Sequence, residues 1–211
     1  MRRFLRENGL SIVMLSLFFV CLVGQAASGF RVHNQEQALH GLPTIDVLDY
    51  LRTGHFIEAV FENWESEFLQ MGMYVLLTVY LFQKGSPDAN APDDPKEVDA
   101  KSWVNADVPW PVRRGGWVLR IYEHSLSLTL LLLFFASLAL HAAGGTKAAN
   151  AEAAGHGQPT VTFLSYLTTS RFWFESLQNW QSEFLSVAVL VLLAIFLRER
   201  NSPESKPINP P

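Results

Sequence analysis

The sequence predicts an all-α membrane protein with four transmembrane helices, and three observations lead to this fold class. Apolar residues make up 49% of the 211-residue chain, whereas charged residues make up only 17%, against roughly 25% in an average soluble domain. The apolar residues are concentrated in four stretches that carry no charge. The unit formed by two such stretches also occurs twice. Together these features exclude a soluble globular enzyme.

The four uncharged stretches are candidate membrane spans. They cover residues 10–27, 68–82, 126–140 and 184–197. A hydrocarbon core of about 30 Å requires about 20 helical residues. Because the second and fourth stretches are shorter than this, their helices must extend backward through the polar motif Asn-Trp-x-Ser-Glu-Phe that precedes each. We therefore expect both copies of this motif in the outer leaflet.

An internal duplication divides the chain. Residue n aligns with residue n+116 without a gap from Glu7 to Pro87, and about 35 of roughly 80 aligned pairs are identical, far above chance. The duplication predicts two tandem two-helix repeats, residues 1–83 and 117–200, related by a pseudo-twofold axis along the membrane normal. Since the N-terminal apolar run has a counterpart in mid-chain, we expect a retained anchor and not a cleaved signal peptide.

Two Pro-rich segments are expected to be disordered. One is the linker 84–116, which is rich in Pro, Asp and Ala, and the other is the tail 201–211. Aromatic and basic residues near the spans are predicted to anchor the protein at the membrane interface. These anchors are Trp64, Trp180, Trp110, Arg113 and Arg114.

Positive charges predict the orientation in the membrane. Of the 16 Lys and Arg residues, twelve lie on the side that holds both termini and the linker, and four on the other side. The positive-inside rule therefore places the N- and C-termini in the cytoplasm. On the outer face we expect short amphipathic helices, one capped by Thr44 and ended by Gly54, and its copy beginning at Thr160. The net charge of −4 and the lack of a long basic run exclude nucleic-acid binding.

The repeated polar motif supplies a candidate ion or proton site. Its polar side chains share one helical stripe in each half, namely Asn63, Ser66 and Glu67, with the copies Asn179, Ser182 and Glu183. A carboxylate at this depth is costly to expose to lipid, so both stripes are predicted to face the bundle interior or a wet cavity. There Glu67 and Glu183 would share a proton or hold a cation. The alternative is that these groups only hydrogen-bond helices together.

A second candidate site is suggested by the spacing of glutamate and histidine. Glu36 and His40 stand four residues apart, and Glu152 and His156 repeat this spacing. On a helix each pair shares one face, so duplication would offer a divalent metal four ligands. The alternative is that His40 ends its helix before Gly41 and that its imidazole interacts with the last carbonyls. No other cofactor is predicted.

Further motifs extend along nearly the whole chain. They include the N-terminal Arg-Arg-Phe-Leu-Arg-Glu-Asn-Gly-Leu-Ser, the run Pro-Trp-Pro-Val-Arg-Arg-Gly-Gly at 109–116, and the paired Asn-Trp-x-Ser-Glu-Phe motifs. In these motifs the chain resembles a bacterial family of small inner-membrane proteins of unknown function. The resemblance implies a four-span protein of the bacterial inner membrane with no assigned activity, and it transfers no catalytic or binding residue.

Three functional hypotheses follow. The first is a non-enzymatic scaffold or accessory subunit, which acts in the lipid bilayer through a membrane-protein partner or as a homo-oligomer. The alternative is a proton- or cation-linked transporter or sensor that uses Glu67 and Glu183. The third is a metal-dependent membrane enzyme. Because the chain has no nucleophile or phosphate-binding motif, we predict no catalytic residues and expect that the protein is not an enzyme.

Replacing both Glu67 and Glu183 with Gln separates the two interpretations of the polar motif. If the carboxylates are functional, the double variant is expected to insert and fold as the parent does, but to lose a pH-dependent activity or an ion effect. If they are structural, the variant is expected to melt at a different temperature because helix packing changes. An unchanged melting profile contradicts the structural interpretation.

Overall fold

The computed structural model describes residues 2–84, 86–87 and 109–208, and every regular element among them is an α-helix. The all-α prediction is thereby confirmed. In chain order the helices are α1 (Arg2–Glu7), α2 (Gly9–Leu39), α3 (Val47–Tyr50), α4 (Gly54–Tyr80), α5 (Trp110–Arg114), α6 (Gly116–Glu123), α7 (Ser125–Gly155), α8 (Phe163–Tyr166) and α9 (Ser170–Phe196).

Three of these helices are long and apolar enough to cross a membrane. They are α2, α7 and α9, whose most apolar 18-residue windows have mean hydropathies of 2.2, 2.1 and 1.6. Helix α4 has 27 residues, as α9 does, and at 1.5 Å per residue it extends about 40 Å. Its first half is rich in glutamate, however, so it is not among the three within the described residues. The fourth span stays a prediction.

Each polar motif continues into the apolar run that follows it. Residues 63–68 lie inside α4 and residues 179–184 lie inside α9, so the predicted backward extension of both helices is confirmed. The physical reason is that neither motif contains Pro or Gly, and nothing interrupts the i to i−4 hydrogen bonds.

The short helices of the loops begin and end differently from the prediction. Helix α3 has four residues and is capped by Asp46, whose carboxylate accepts a hydrogen bond from the N–H three residues later at 2.8 Å. Thr44 lies before this cap, and Gly54 begins α4 instead of ending the preceding helix. Helix α8 also has four residues, and the hydroxyl of Thr162, not Thr160, accepts the equivalent bond at 3.2 Å. The residue directly before the first turn caps the helix, because its side-chain oxygen reaches the backbone N–H groups of that turn.

The chain forms two compact units, each assembled from separate segments. The first comprises Met1–Val60 and Ala142–Tyr166, and the second comprises Phe61–His141 and Leu167–Pro211. Each unit therefore draws on both halves of the sequence.

In the first unit, two asparagines tie the loops to the long helices. Asn34 donates to the carbonyl of Ile45 at 3.0 Å and accepts from its N–H at 2.9 Å. Asn150 makes the same two bonds to Val161, at 3.0 and 2.7 Å. Because each amide satisfies one backbone donor and one acceptor, it fixes the path of a loop that has no ladder of its own. The two pairs stand 116 residues apart.

Two tyrosines pack in the same unit against glycines. Tyr50 and Tyr166 are each 1% exposed, and a Cβ at Gly29 or Gly145 respectively would overlap the phenol ring. Burial raises the pKa of the Tyr50 phenol, and the negative charge of Glu36 adds to this effect. Each glycine is thus required by the close approach of a buried aromatic ring.

Helix backbones also approach closely within this unit. A Cβ at Gly144 would lie 2.9 Å from the Cα of Glu58 and 3.0 Å from the carbonyl carbon of Ile57, and a Cβ at Gly54 would lie 2.5 Å from the carbonyl oxygen of Gly144. These neighbours are backbone atoms that no rotamer change can move. Small residues that allow such approach are typical of helix packing in membranes.

The second unit has buried apolar side chains. Leu130, Phe134, Phe172 and Ala194 are buried. The ring of Phe134 lies 6.0 Å from that of Trp180 in an edge-to-face arrangement, which is favourable for aromatic pairs.

The linker 84–116 lies mostly outside the described residues. At its C-terminal end Trp110–Arg114 form helix α5, and the guanidinium of Arg114 stands 5.3 Å from the centre of the Trp110 ring, a cation–π contact. Trp110, Arg113 and Arg114 are all exposed. In the tail, residues 201–208 contain no helix, and residues 209–211 lie outside the described part of the chain.

Replacing Gly144 with Ala tests the close backbone approach. We expect the variant to lose about 1–3 kcal/mol of unfolding free energy, because the added methyl group overpacks against backbone. Gly24→Ala is the matched control, since no atom lies within 4 Å of its Cβ position, and we expect it to match or exceed the parent. Thermal melting in lipid nanodiscs measures both. Equal melting of the two variants would contradict the close approach.

Candidate cation site

A buried histidine lies between two glutamates in the second unit. His141 of α7 and Glu65 of α4 have no exposed surface. Nδ1 of His141 lies 3.1 Å from Oε2 of Glu65, and Nε2 lies 3.5 Å from Oε2 of Glu175 in α9. The imidazole also packs on the ring of Phe172, with 4.9 Å between ring centres. Three helices therefore each contribute one ionisable side chain to the same buried place.

The two ring nitrogens of His141 have different surroundings. The 3.1 Å contact at Nδ1 is a hydrogen bond in which the imidazole donates to the carboxylate of Glu65. At Nε2, 3.5 Å is too long for a good N–H···O bond, and this atom has no hydrogen-bond partner among the described residues. Nε2 is therefore directed at Glu175 at an ion-pair distance. A buried polar atom in this state is unusual.

Neighbouring side chains hold the carboxylates in place. The indole N–H of Trp180 donates to the second oxygen of Glu65 at 3.3 Å, so both oxygens of this buried group are hydrogen-bonded. Nε of Arg171 donates to Glu175 at 2.9 Å. The amide of Asn179 donates to Glu62 and to the carbonyl of Glu175 at 3.1 Å.

A fourth ionisable residue belongs to the same group. Glu62 lies one turn before Glu65 in α4, and its charge interacts with those of His141 and Glu175. We call Glu62, Glu65, His141 and Glu175 the Glu–His cluster. It contains three carboxylates and one imidazole, so even a protonated imidazole leaves two negative charges, of which Arg171 at the edge offsets one. The cluster therefore has an excess of negative charge, and the part of this charge on Glu65 is fully buried and costly to leave without a partner.

The predicted pair of glutamates is nearby but less buried. Glu67 and Glu183 are close enough for their charges to repel each other. Glu67 is nevertheless exposed and Glu183 is partly exposed. At 100° per residue, Glu67 points about 200° away from Glu65, so the buried face of α4 is the face of Glu65. Of the stripe predicted to face inward, Asn63 and Glu67 are therefore exposed, whereas Ser66 is buried.

The other polar residues of the motif bond mainly within their own helices. Ser66 donates to the carbonyl of Asn63 at 2.7 Å, and Ser182 donates to the carbonyl of Asn179 at 2.8 Å. Such bonds to the preceding turn are usual for serine inside a helix. Of this set, Asn179 alone touches the Glu–His cluster in a contact given above, through Glu62.

The tryptophans of the motif make helix contacts. Trp180 donates to Glu65 and packs against Trp173, with 6.2 Å between ring centres. Trp64 packs against Phe61 at 5.1 Å. Both are partly buried. Their role as interfacial anchors stays a prediction, since the contacts described here are with the protein.

The predicted metal site is brought together only in part. The rings of His40 and His156 lie 6.3 Å apart, but these residues and Glu36 and Glu152 are all exposed. Within the described residues, their ligand atoms do not form a group that converges within 4.8 Å. Nδ1 of His156 lies 2.9 Å from the carbonyl oxygen of Glu152, and His40 is the C-cap of α2. This geometry agrees with the alternative interpretation, in which His40 ends its helix and the imidazole interacts with the last carbonyls.

Sequence reasoning missed His141. The signal was present, because His141 directly follows the uncharged stretch 126–140, and an ionisable residue within an apolar helix marks a candidate functional site. Comparison of the two repeats gives a second signal. The repeat counterparts of Glu65, His141 and Glu175 are Gln181, Gln25 and Ala59, so the three residues are not duplicated.

Fold and site together define an all-helical protein with helices apolar enough to cross a membrane and with a buried cluster of carboxylates around one imidazole. The chain belongs to the family described as domain of unknown function DUF6766, whose model matches residues 1–211. No curated protein and no solved structure matches the chain. This family membership agrees with the expectation that the chain resembles a family of unknown function.

Replacing His141 with Leu tests the energetic role of the buried imidazole. We expect a loss of about 3–5 kcal/mol of unfolding free energy, because Glu65 loses its buried partner. His124→Leu is the matched control, since His124 is exposed, and we expect a change within about 0.5 kcal/mol. Thermal melting in nanodiscs measures both variants. A similar small effect of the two would contradict the buried contact.

Proposed function

We propose that this protein is a cation-linked transporter or sensor of the bacterial inner membrane. In this proposal a proton or a metal cation binds at the Glu–His cluster, and its binding is coupled to helix packing. The supporting observation is the buried contact of His141 with Glu65, beside the partly buried carboxylates of Glu175 and Glu62, in helices of the second unit. Ionisable groups inside membrane helices are rare and usually functional.

The proposal includes a topology of four spans in two tandem repeats, with both termini in the cytoplasm. Three helices are apolar enough to cross a membrane, and α4 has the length of α9. The asparagine bonds at Asn34 and Asn150, 116 residues apart, support a common structure for the two halves. The distribution of Lys and Arg supports the orientation.

In this proposal, electrostatic repulsion within the cluster couples cation binding to helix packing. An empty cluster holds like charges close together in a medium that screens them poorly, whereas a bound cation offsets the repulsion. A ligand that binds one packing arrangement better than another shifts the equilibrium between them by its differential affinity. Helices α4, α7 and α9 each carry a member of the cluster, so occupancy acts on the packing of all three.

The other hypotheses have less support. The scaffold or accessory role stays a prediction, and a cation-linked subunit of a larger assembly would satisfy both ideas. The pair Glu67 and Glu183 is more exposed than Glu65 and Glu175, so the proposal places the site on the buried pair. A metal-dependent enzyme built on His40 and His156 has exposed ligands that do not converge.

The test is the dependence of stability on cations in full-length protein in nanodiscs. We expect the melting temperature of the parent to respond to pH and to rise with added divalent cations, because a ligand at 100 times its dissociation constant stabilises the native state by about 2.7 kcal/mol. Glu65→Gln with Glu175→Gln is expected to abolish the response.

Glu123→Gln with Glu199→Gln is the matched control, since both of these glutamates are exposed and outside the cluster. It should retain the response of the parent. A parent that melts at the same temperature under all these conditions contradicts the proposal, as does a control that loses the response together with the cluster variant.

A further inference from the structure

We infer that the cation of the Glu–His cluster is a divalent first-row transition metal ion, coordinated by Nε2 of His141 and the carboxylate of Glu175. Glu65 orients the imidazole from its other side. This inference rests on the proposed cation-linked function and names the ion that the site takes.

The first argument is the orientation of the imidazole. Metal-bound histidines usually donate their second ring N–H to a carboxylate or carbonyl, which fixes the tautomer and leaves the other nitrogen free to coordinate. His141 has this arrangement, with Nδ1 bonded to Glu65 at 3.1 Å. Both oxygens of Glu65 accept a hydrogen bond, since the other oxygen accepts from Trp180 at 3.3 Å. Glu65 is therefore a positioning residue and Nε2 is the coordinating atom.

The second argument is the distance between the two ligands. Nε2 of His141 lies 3.5 Å from Oε2 of Glu175 and has no hydrogen-bond partner among the described residues, although it is fully buried. Zn²⁺ binds nitrogen and oxygen ligands at about 2.0–2.2 Å in tetrahedral geometry, which separates two ligand atoms by roughly 3.4 Å. The gap is an ion-pair distance, and it also equals the separation expected for two ligands of one ion.

The third argument is charge. Glu62, Glu65 and Glu175 carry three negative charges, and Arg171, bonded to Glu175 at 2.9 Å, carries one positive charge. The site therefore has an excess of negative charge, which a divalent ion offsets more fully than a proton does. Glu62 interacts electrostatically with His141 and Glu175 and adds to the negative charge at the site, and water completes the coordination.

Ligand chemistry narrows the choice of ion. One imidazole with carboxylates suits Zn²⁺, Fe²⁺ and Mn²⁺, whereas Cu⁺ prefers thiolates and thioethers. Ca²⁺ and Mg²⁺ prefer sites made only of oxygen. Zn²⁺ and Mn²⁺ are therefore the first probes, and Co²⁺ serves as a coloured substitute for Zn²⁺.

The experiment measures metal bound to the full chain in nanodiscs. Protein is stripped with a chelator, loaded with Zn²⁺ or Mn²⁺, desalted and analysed by mass spectrometry for metal per chain. All variants carry His40→Gln and His156→Gln, which removes the exposed histidine pair as a background site. We expect one ion per chain, and visible d–d absorption of tetrahedral Co²⁺ in the substituted protein.

Variants of the cluster assign the ligands. His141→Gln and Glu175→Gln are expected to lose binding at least tenfold, whereas Glu175→Asp, which keeps a carboxylate, retains part of it. Glu65→Gln is expected to weaken affinity about 10- to 100-fold without abolishing it, as loss of an orienting partner does. His124→Gln and Glu183→Gln are matched controls that should bind as the parent does. Tryptophan fluorescence and melting in the metal-free state show whether each variant is folded.

The outcomes separate this inference from the proposed function. If neither Zn²⁺ nor Mn²⁺ binds but melting still responds to pH through Glu65 and Glu175, the metal site is overturned and a proton site remains. If melting responds to neither metal nor pH, both proposals fail. Retention of the full metal content by folded His141→Gln also overturns the inference.

Discussion

The contact between Glu65 and His141 is the constraint on which the rest of the second unit depends. A carboxylate with no exposed surface must have its lone pairs satisfied, and here the imidazole and the indole of Trp180 satisfy both oxygens. These bonds fix the rotation of α4, α7 and α9 about their axes. The position of Glu175 opposite the second ring nitrogen of His141 follows from this rotation.

The first unit is stabilised in a different way, by the close approach of helices and rings at small residues. Glycines let helix backbones and buried tyrosine rings come together, while Asn34 and Asn150 satisfy the backbone of the loops. The Gly–Tyr contacts and the two asparagines occur at equivalent positions of the repeat, whereas Gly54 and Gly144 correspond to Ser170 and Ser28. The duplicated features thus stabilise structure, whereas the Glu–His cluster combines residues whose repeat counterparts differ in chemistry.

Much of the fold was predictable, but the face of α4 that is buried was not. Composition and the absence of helix breakers predict the long helices and their extension through the polar motifs. In α4, however, residues 62–67 include three glutamates, an asparagine and a serine, so polar groups lie all round the helix and periodicity does not select a face. The sequence therefore favoured Glu67, while tertiary packing buries Glu65 and leaves Glu67 exposed.

The sequence by itself determined the all-α class, the apolar helices, the duplication and the presence of several carboxylates beside the apolar runs, because these properties are local and are read from composition and spacing. Only the tertiary structure decided which carboxylates meet the imidazole. Glu65 and His141 are 76 residues apart, and their contact depends on how three helices are rotated and crossed. That geometry is set by the packing of apolar side chains between the helices, a property that no single helix encodes.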